Sequence, residues 1–178
     1  MYDDAKDFHE GLAPVKLNGK WGSIDRTGKL IVPPWYDYVF GFHEGFARVE
    51  LNGKWGFIDK TGKEIVTPRY DNVPFYTPYF HEGLALVKLN GKWGFVDKTG
   101  KEIVTPKYDD AKNFKEGLAL VKLNGKWGFV DKTGKEIVPP KYDDASNFHE
   151  GLAWVELNGK GFYIKVFPDG KVVKYYEE

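Results

Sequence analysis

The run EGLALVKLNGKWGFVDKTGKEIVP, residues Glu116–Pro139, decides the fold, and the rest of the chain is built from copies and variants of it. Two residues, Asn124-Gly125, separate the apolar runs Leu118–Leu123 and Lys126–Val130. An Asn-Gly pair in that setting predicts a type I′ hairpin, because both central positions need positive φ. A second turn is expected over Asp131–Gly134, where Asp accepts from following amides and Gly takes the left-handed position. A third strand, Glu136–Val138, completes an antiparallel meander. Along Leu118–Leu123 side chains alternate, so Ala119, Val121 and Leu123 are assigned to the core face and Leu118, Leu120 and Lys122 to the other.

The unit recurs. Tyr2, Tyr36, Tyr70, Tyr108 and Tyr142 each open a Tyr-Asp segment, at spacings of 34, 34, 38 and 34 residues. A period of this size marks a repeat architecture. Five units follow, 2–35, 36–69, 70–107, 108–141 and 142–178, in a single repeat domain of residues 1–178. The first four carry Trp21-Gly22, Trp55-Gly56, Trp93-Gly94 and Trp127-Gly128. In the fifth, Lys160 runs straight into Gly161-Phe162, which reads as a one-residue deletion.

A Lys-Trp-Gly-Phe-Ile/Val-Asp-Lys-Thr-Gly-Lys-Glu-Ile-Val run, repeated with Tyr-Asp and Phe-x-Glu-Gly between copies, resembles the WG repeat family of bacterial proteins. The resemblance covers essentially the whole chain and implies a β-repeat array serving interaction, with no catalytic residue to carry over. Ser23, where the other units have Phe, and the degenerate fifth unit depart from the pattern. The fold class expected is all-β: five stacked antiparallel meanders of about 34 residues. The Tyr-Asp connector supplies a short fourth strand, and since one small sheet cannot bury both faces, stacking is obligatory. A propeller-like ring is the expected assembly and an open superhelical array the alternative.

Composition narrows the function. Lys plus Arg and Asp plus Glu number 26 each, so no basic field exists to gather nucleic acid or anionic lipid. Cysteine is absent, which excludes disulfides, thiol catalysis and thiolate zinc sites. No signal peptide and no membrane-length apolar run occur in this sequence, and a cytoplasmic location is the expectation.

Three repeated features invite chemistry, and each has a structural reading. His9, His43, His81 and His149 stand beside Glu10, Glu44, Glu82 and Glu150, a metal-compatible pairing. The fourth unit has Lys115 in the histidine place, so a structural turn is favoured and no metal is expected. The acidic pairs Asp3-Asp4, Asp109-Asp110 and Asp143-Asp144, with Asp37 and Asp71, suggest a two-carboxylate hydrolase. Their recurrence at one phase after Tyr fits turn caps better. The four tryptophans at one phase are assigned to packing between units. No catalytic motif is present, so the expectation is not an enzyme, without cofactor.

Function is therefore sought where the repeats disagree. The second unit carries Tyr38-Val39-Phe40-Gly41, preceded by Trp35, and Arg48. The third inserts Pro74-Phe75-Tyr76-Thr77-Pro78-Tyr79. Aromatics and an Arg are the composition of a binding hot spot, so Trp35, Tyr38, Arg48, Phe75, Tyr76 and Tyr79 are the candidate partner-binding residues. The expected function is a non-catalytic scaffold for a protein partner. The alternative is a carbohydrate-binding module in which these rings stack on sugars beside Asp71 and Asn72. The variable strand position, Pro14, Arg48, Leu86, Leu120 and Trp154, is assigned to the face turned away from the core.

Overall fold

A computed structural model describes residues 1–176, which form strands and turns without a helix. Five antiparallel sheets follow in sequence order. The first contains Asp4–Ala5, Leu12–Leu17, Lys20–Asp25 and Leu30–Tyr36; the fourth contains Asp110–Ala111, Leu118–Leu123, Lys126–Asp131 and Glu136–Tyr142. The second and fifth sheets have the same four-strand order. The third has three strands, with an isolated Asn72↔Lys88 bridge where the short strand stands elsewhere. Each of the first four sheets ends on the Tyr of Tyr-Asp, so the structural boundary falls one residue after the start of the sequence unit. By contacts the chain divides into two compact units. One comprises Met1–Tyr79, Val87–Leu89 and Lys98–Lys101, the other Phe80–Leu86, Asn90–Asp97 and Glu102–Glu178. The final two residues of the fifth sequence unit lie outside the described residues.

The expected turns are present. Asn124 and Gly125 sit at φ 51° and 78°, as type I′ requires. The paired register runs from Leu118↔Asp131 to Leu123↔Lys126. At the second turn the Asp131 carboxylate accepts from the Thr133 amide at 2.9 Å, the Thr133 hydroxyl at 2.6 Å and the Lys135 amide at 3.1 Å. The structural turn favoured at the His/Lys-Glu motif is a tight two-residue one. Lys115 and Leu118 exchange backbone hydrogen bonds of 2.9 and 3.2 Å around Glu116-Gly117, whose φ angles are 52° and 82°. The left-handed conformation costs a residue with a Cβ on the order of 1–2 kcal/mol, yet Glu10, Glu44, Glu82 and Glu150 adopt it too.

The Trp-Gly pair has a geometric cause. A Cβ at Gly128 would lie 2.4 Å from the Val138 carbonyl oxygen and 2.7 Å from the Pro140 nitrogen. The Glu136–Tyr142 strand crosses that close because its pairing slips between Trp127 and Phe129, a bulge that bends the strand over its neighbour. Glycine permits the crossing.

Both faces of the first long strand are buried, which corrects the one-sided assignment. Ala119 and Val121 are fully buried, and Leu120, placed on the outer face, is only 3% exposed. Pro14 and Leu86 at the same position are likewise buried, while Trp154 is half-buried. The reason is stacking: Leu120, Trp127 and Phe129 of the fourth sheet share a core with Phe148, Ala153, Val155 and Ile164 that follow. Phe148 meets Phe129 edge-on at 5.0 Å, and Phe114 meets Phe95 at 4.8 Å. Such pairs add about 0.5–1.5 kcal/mol beyond their buried area. Trp21 and Trp127 are buried in this way, whereas Trp55 and Trp93 are half-buried.

The fifth repeat holds no deletion. Leu157↔Lys160 and Glu156↔Gly161 repeat the register of Leu123↔Lys126 and Lys122↔Trp127, so Gly161 occupies the tryptophan place and Phe162 the glycine place. Trp154, from the partner strand, covers Gly161: its Nε1 lies 2.9 Å from where a Cβ would stand. The indole has moved across the hairpin. Phe162 is tolerated because Lys160–Val166 pairs with Val172–Tyr175 without a register shift.

Candidate binding surface

The repeated polar residues are occupied in joining the structure. The Asp37 carboxylate takes the Lys20 ammonium and accepts from the Asn52 amide at 2.6 Å, tying the connector to the next hairpin turn. Asp109 does the same with Lys92 and the Asn124 amide, and Asp143 with Lys126 and the Asn158 amide. The lysine hydrogen bond first and the amide second hold all three carboxyls below the usual range. A depressed folded pKa means stability present above the unfolded value near 3.8 and lost as pH falls through the folded value. The melting temperature is therefore expected to fall steeply with acidification below about pH 4. Asp109→Asn should melt lower at neutral pH and lose less on acidification; a parallel pH profile for variant and wild type would refute the assignment.

The glutamates of Phe-x-Glu-Gly also join repeats. Glu10 accepts from the Glu44 amide at 2.6 Å and the Gly45 amide at 2.8 Å, and Glu116 accepts from the Glu150 and Gly151 amides at 2.8 Å each. Glu82 accepts from the Gly117 amide at 2.9 Å. Two successive amides at positive φ form a small anion-binding nest. Glu116 shows both roles: its own turn takes the Glu82 carboxylate and its side chain fills the next nest. His9 and His43 stack at 5.2 Å between ring centroids. Among the described residues no cluster of His, Cys, Asp or Glu is arranged to hold a metal ion.

The six candidate binding residues all lie in the first compact unit but divide into two groups. Trp35, Phe75 and Tyr76 are 67%, 74% and 46% exposed, and Phe75 and Tyr76 meet edge-on at 5.5 Å. Arg48 and Tyr79 are only 7% and 4% exposed, contrary to their reading as surface hot-spot residues. The Arg48 guanidinium is sandwiched between Phe40 at 4.2 Å and Trp55 at 3.9 Å. Burial pulls its pKa down and pushes that of the Tyr79 hydroxyl up. Tyr79 packs on Phe57 at 5.3 Å and edge-on to His43, anchoring the inserted loop. Tyr38, half-buried, lies between Phe40 at 4.4 Å and Trp21 at 5.6 Å, with Lys6 over its ring and bonded to its hydroxyl.

Phe40 and Lys6, which sequence reading did not select, complete this stack. Lys6, Phe40 and Lys112 hold one structural position, bonding through their amides to Pro14, Arg48 and Leu120. In the fourth repeat Lys112 stands over Trp127 beside Leu120; in the second, Phe40 replaces the cation and Arg48 the leucine. Charge and ring have exchanged strands. Reading the two substitutions as one compensated pair would have revealed an internal stack.

The model of the WG containing repeat matches residues 1–21, 21–55, 55–93, 93–127 and 127–160. No characterised protein matches by sequence. Among solved structures, virginiamycin B lyase from Staphylococcus aureus is similar at 15% identity and a TM-score of 0.35, over 97% of this chain and 68% of that one. Hsv2p from Kluyveromyces lactis is similar at 13% identity and a TM-score of 0.41, over 96% of this chain and 61% of that one. With five consecutive matches spanning nearly all of its length, the chain belongs to the WG repeat family.

Proposed function

We propose that the chain is a non-catalytic repeat scaffold that binds a protein partner through Trp35, Phe75 and Tyr76. The observation that carries this reading is a division of labour. The repeat-constant Asp and Glu residues bond turns to one another, while the exposed Trp35 at the end of the first repeat and Phe75 and Tyr76 of the third stand where the repeat pattern breaks. Rigid aromatic area with few rotatable bonds is what a hot spot uses. A balanced charge offers no basic field to favour a nucleic-acid partner, and among the described residues no helix is long and apolar enough to cross a membrane.

The test places a photo-crosslinking amino acid at Phe75 in the source cells. One dominant protein adduct, weakened by Trp35→Ala and Tyr76→Ala at unchanged melting temperature, is expected. Truncating a hot-spot aromatic costs about 2 kcal/mol or more of binding. A glycan array on the purified chain addresses the competing reading. Sugar binding lost in the same variants, with no protein adduct, would replace the protein partner by a carbohydrate.

A further inference from the structure

Three aromatic rings of the first two repeats converge on one cation. The Lys6 ammonium lies 3.9 Å from the centre of the Tyr38 ring, 5.0 Å from that of Trp21 and 5.6 Å from that of Phe40. A cation within about 6 Å of a ring centre is attracted by the negative face of the ring. Tyr38 is tilted by 46° against Trp21 and by 49° against Phe40, so the rings face a common point instead of stacking flat. Trp21 belongs to the repeat pattern, but the other two rings do not. The other four repeats have Asp or Asn in the place of Tyr38, and Lys, Pro or Ser in that of Phe40.

Lys6 is drawn into this cage and away from the contact its counterpart makes. Lys112, in the same structural position, pairs with the Asp110 carboxylate at 3.3 Å and reaches a single ring, Trp127, at 6.0 Å. Among the described residues Lys6 forms no such pair with Asp4. Burial lowers its pKa against the opposing pull of Asp4. An ammonium is strongly hydrated, so this group gives up water and a carboxylate for ring faces. The cage itself stands without it, because Phe40 is held through the buried Arg48 guanidinium to Trp55. The Lys6 amide donates to the Pro14 carbonyl at 2.9 Å, so the side chain can swing out while the backbone stays in place.

We propose that Trp21, Tyr38 and Phe40 form a binding site for a trimethylated lysine side chain of a protein partner, and that Lys6 closes the site until that side chain displaces it. The occupant is specified by the group seated there, a lysine side chain entering from the surface. A quaternary ammonium keeps the charge that the rings attract but holds water less tightly, which is why aromatic cages select it. Lys6 then regains its water and the reach of Asp4. None of Trp35, Phe75 and Tyr76 takes part, so the site stands or falls separately from that surface.

Titration of the full chain with a short peptide carrying trimethyl-lysine, followed by proton NMR, tests the proposal. Seated over ring faces, the N-methyl signal should move upfield. Affinity is reduced by the fraction of time a site is closed, so Lys6→Gln should bind the peptide at least about tenfold more tightly than wild type, at an unchanged melting temperature. In that background, a peptide with a neutral tert-butyl group in place of the trimethylammonium should bind at least about tenfold more weakly. Tyr38→Leu should weaken binding of the charged peptide to the same degree; Phe40→Leu serves if it unfolds, and the tert-butyl comparison needs neither. Equal binding by Lys6→Gln and wild type, equal binding of the charged and neutral peptides, indifference to loss of the ring, or an unmoved N-methyl signal would each overturn the proposal. Choline bound as tightly as the peptide would overturn the lysine side chain as occupant in favour of a free quaternary ammonium.

Discussion

Gly128→Ala is expected to cost at least about 3 kcal/mol of stability, more than its size suggests, because the new methyl would overlap backbone. The Cβ would lie 2.4 Å from the Val138 oxygen, 2.7 Å from the Pro140 nitrogen and 2.8 Å from the Pro139 carbonyl carbon. None of these atoms is the end of a flexible side chain. The two prolines fix φ and stiffen the strand that would have to retreat, and that strand also carries Val138 and Tyr142, both almost fully buried. Gly22, Gly56 and Gly94 meet the same carbonyl at 2.2, 2.1 and 2.3 Å, so each should respond alike. Gly125→Ala is the control: its Cβ would meet nothing within 4 Å, and only the positive φ is strained. That strain costs on the order of 1–2 kcal/mol. Urea unfolding of the two variants gives the comparison. A Gly128→Ala loss no larger than that of Gly125→Ala would show that the strand crossing does not dictate the glycine.

What was legible in the sequence was what is decided locally. Asn124-Gly125 and Asp131–Gly134 announce their turns through the φ angles and side-chain bonds they alone supply, and the 34-residue spacing follows from counting. The Glu116-Gly117 turn was not legible by the same logic, since glutamate is disfavoured at positive φ; what stabilises it is a carboxylate from the neighbouring repeat. The glycine of Trp-Gly was visible as a motif but not as a crossing point, because the atoms it avoids belong to another strand. In the fifth repeat, motif matching suggested a deletion where the register shows an exchange of Trp127's place for Trp154's. At the candidate site, Trp35, Phe75 and Tyr76 were selected as departures from the repeat pattern, and all three are exposed. Composition could not separate them from Arg48 and Tyr79, whose burial depends on Phe40, Trp55 and Phe57.

That separation leads to the second large effect. Tyr79→Ala should destabilise by about 3 kcal/mol, as the loss of a buried aromatic does, whereas Tyr76→Ala should cost below about 1 kcal/mol. Tyr79 is 4% exposed, its ring lies 5.3 Å from Phe57 and 6.2 Å from His43, and it ends the insertion that carries Phe75 and Tyr76. Removing it empties a site between two rings that cannot follow it inward, so a cavity remains. The hydroxyl contributes little, because its contact with the Gly41 carbonyl, at 3.5 Å, is at the limit of a hydrogen bond. Tyr79→Phe should therefore retain nearly full stability. Scanning calorimetry of the three variants decides between packing and exposure. If Tyr79→Ala melts with the wild type, the loop is not anchored by this ring. Its aromatic tip would then lack the fixed presentation a rigid binding surface needs, because ordering the loop on contact would consume binding energy.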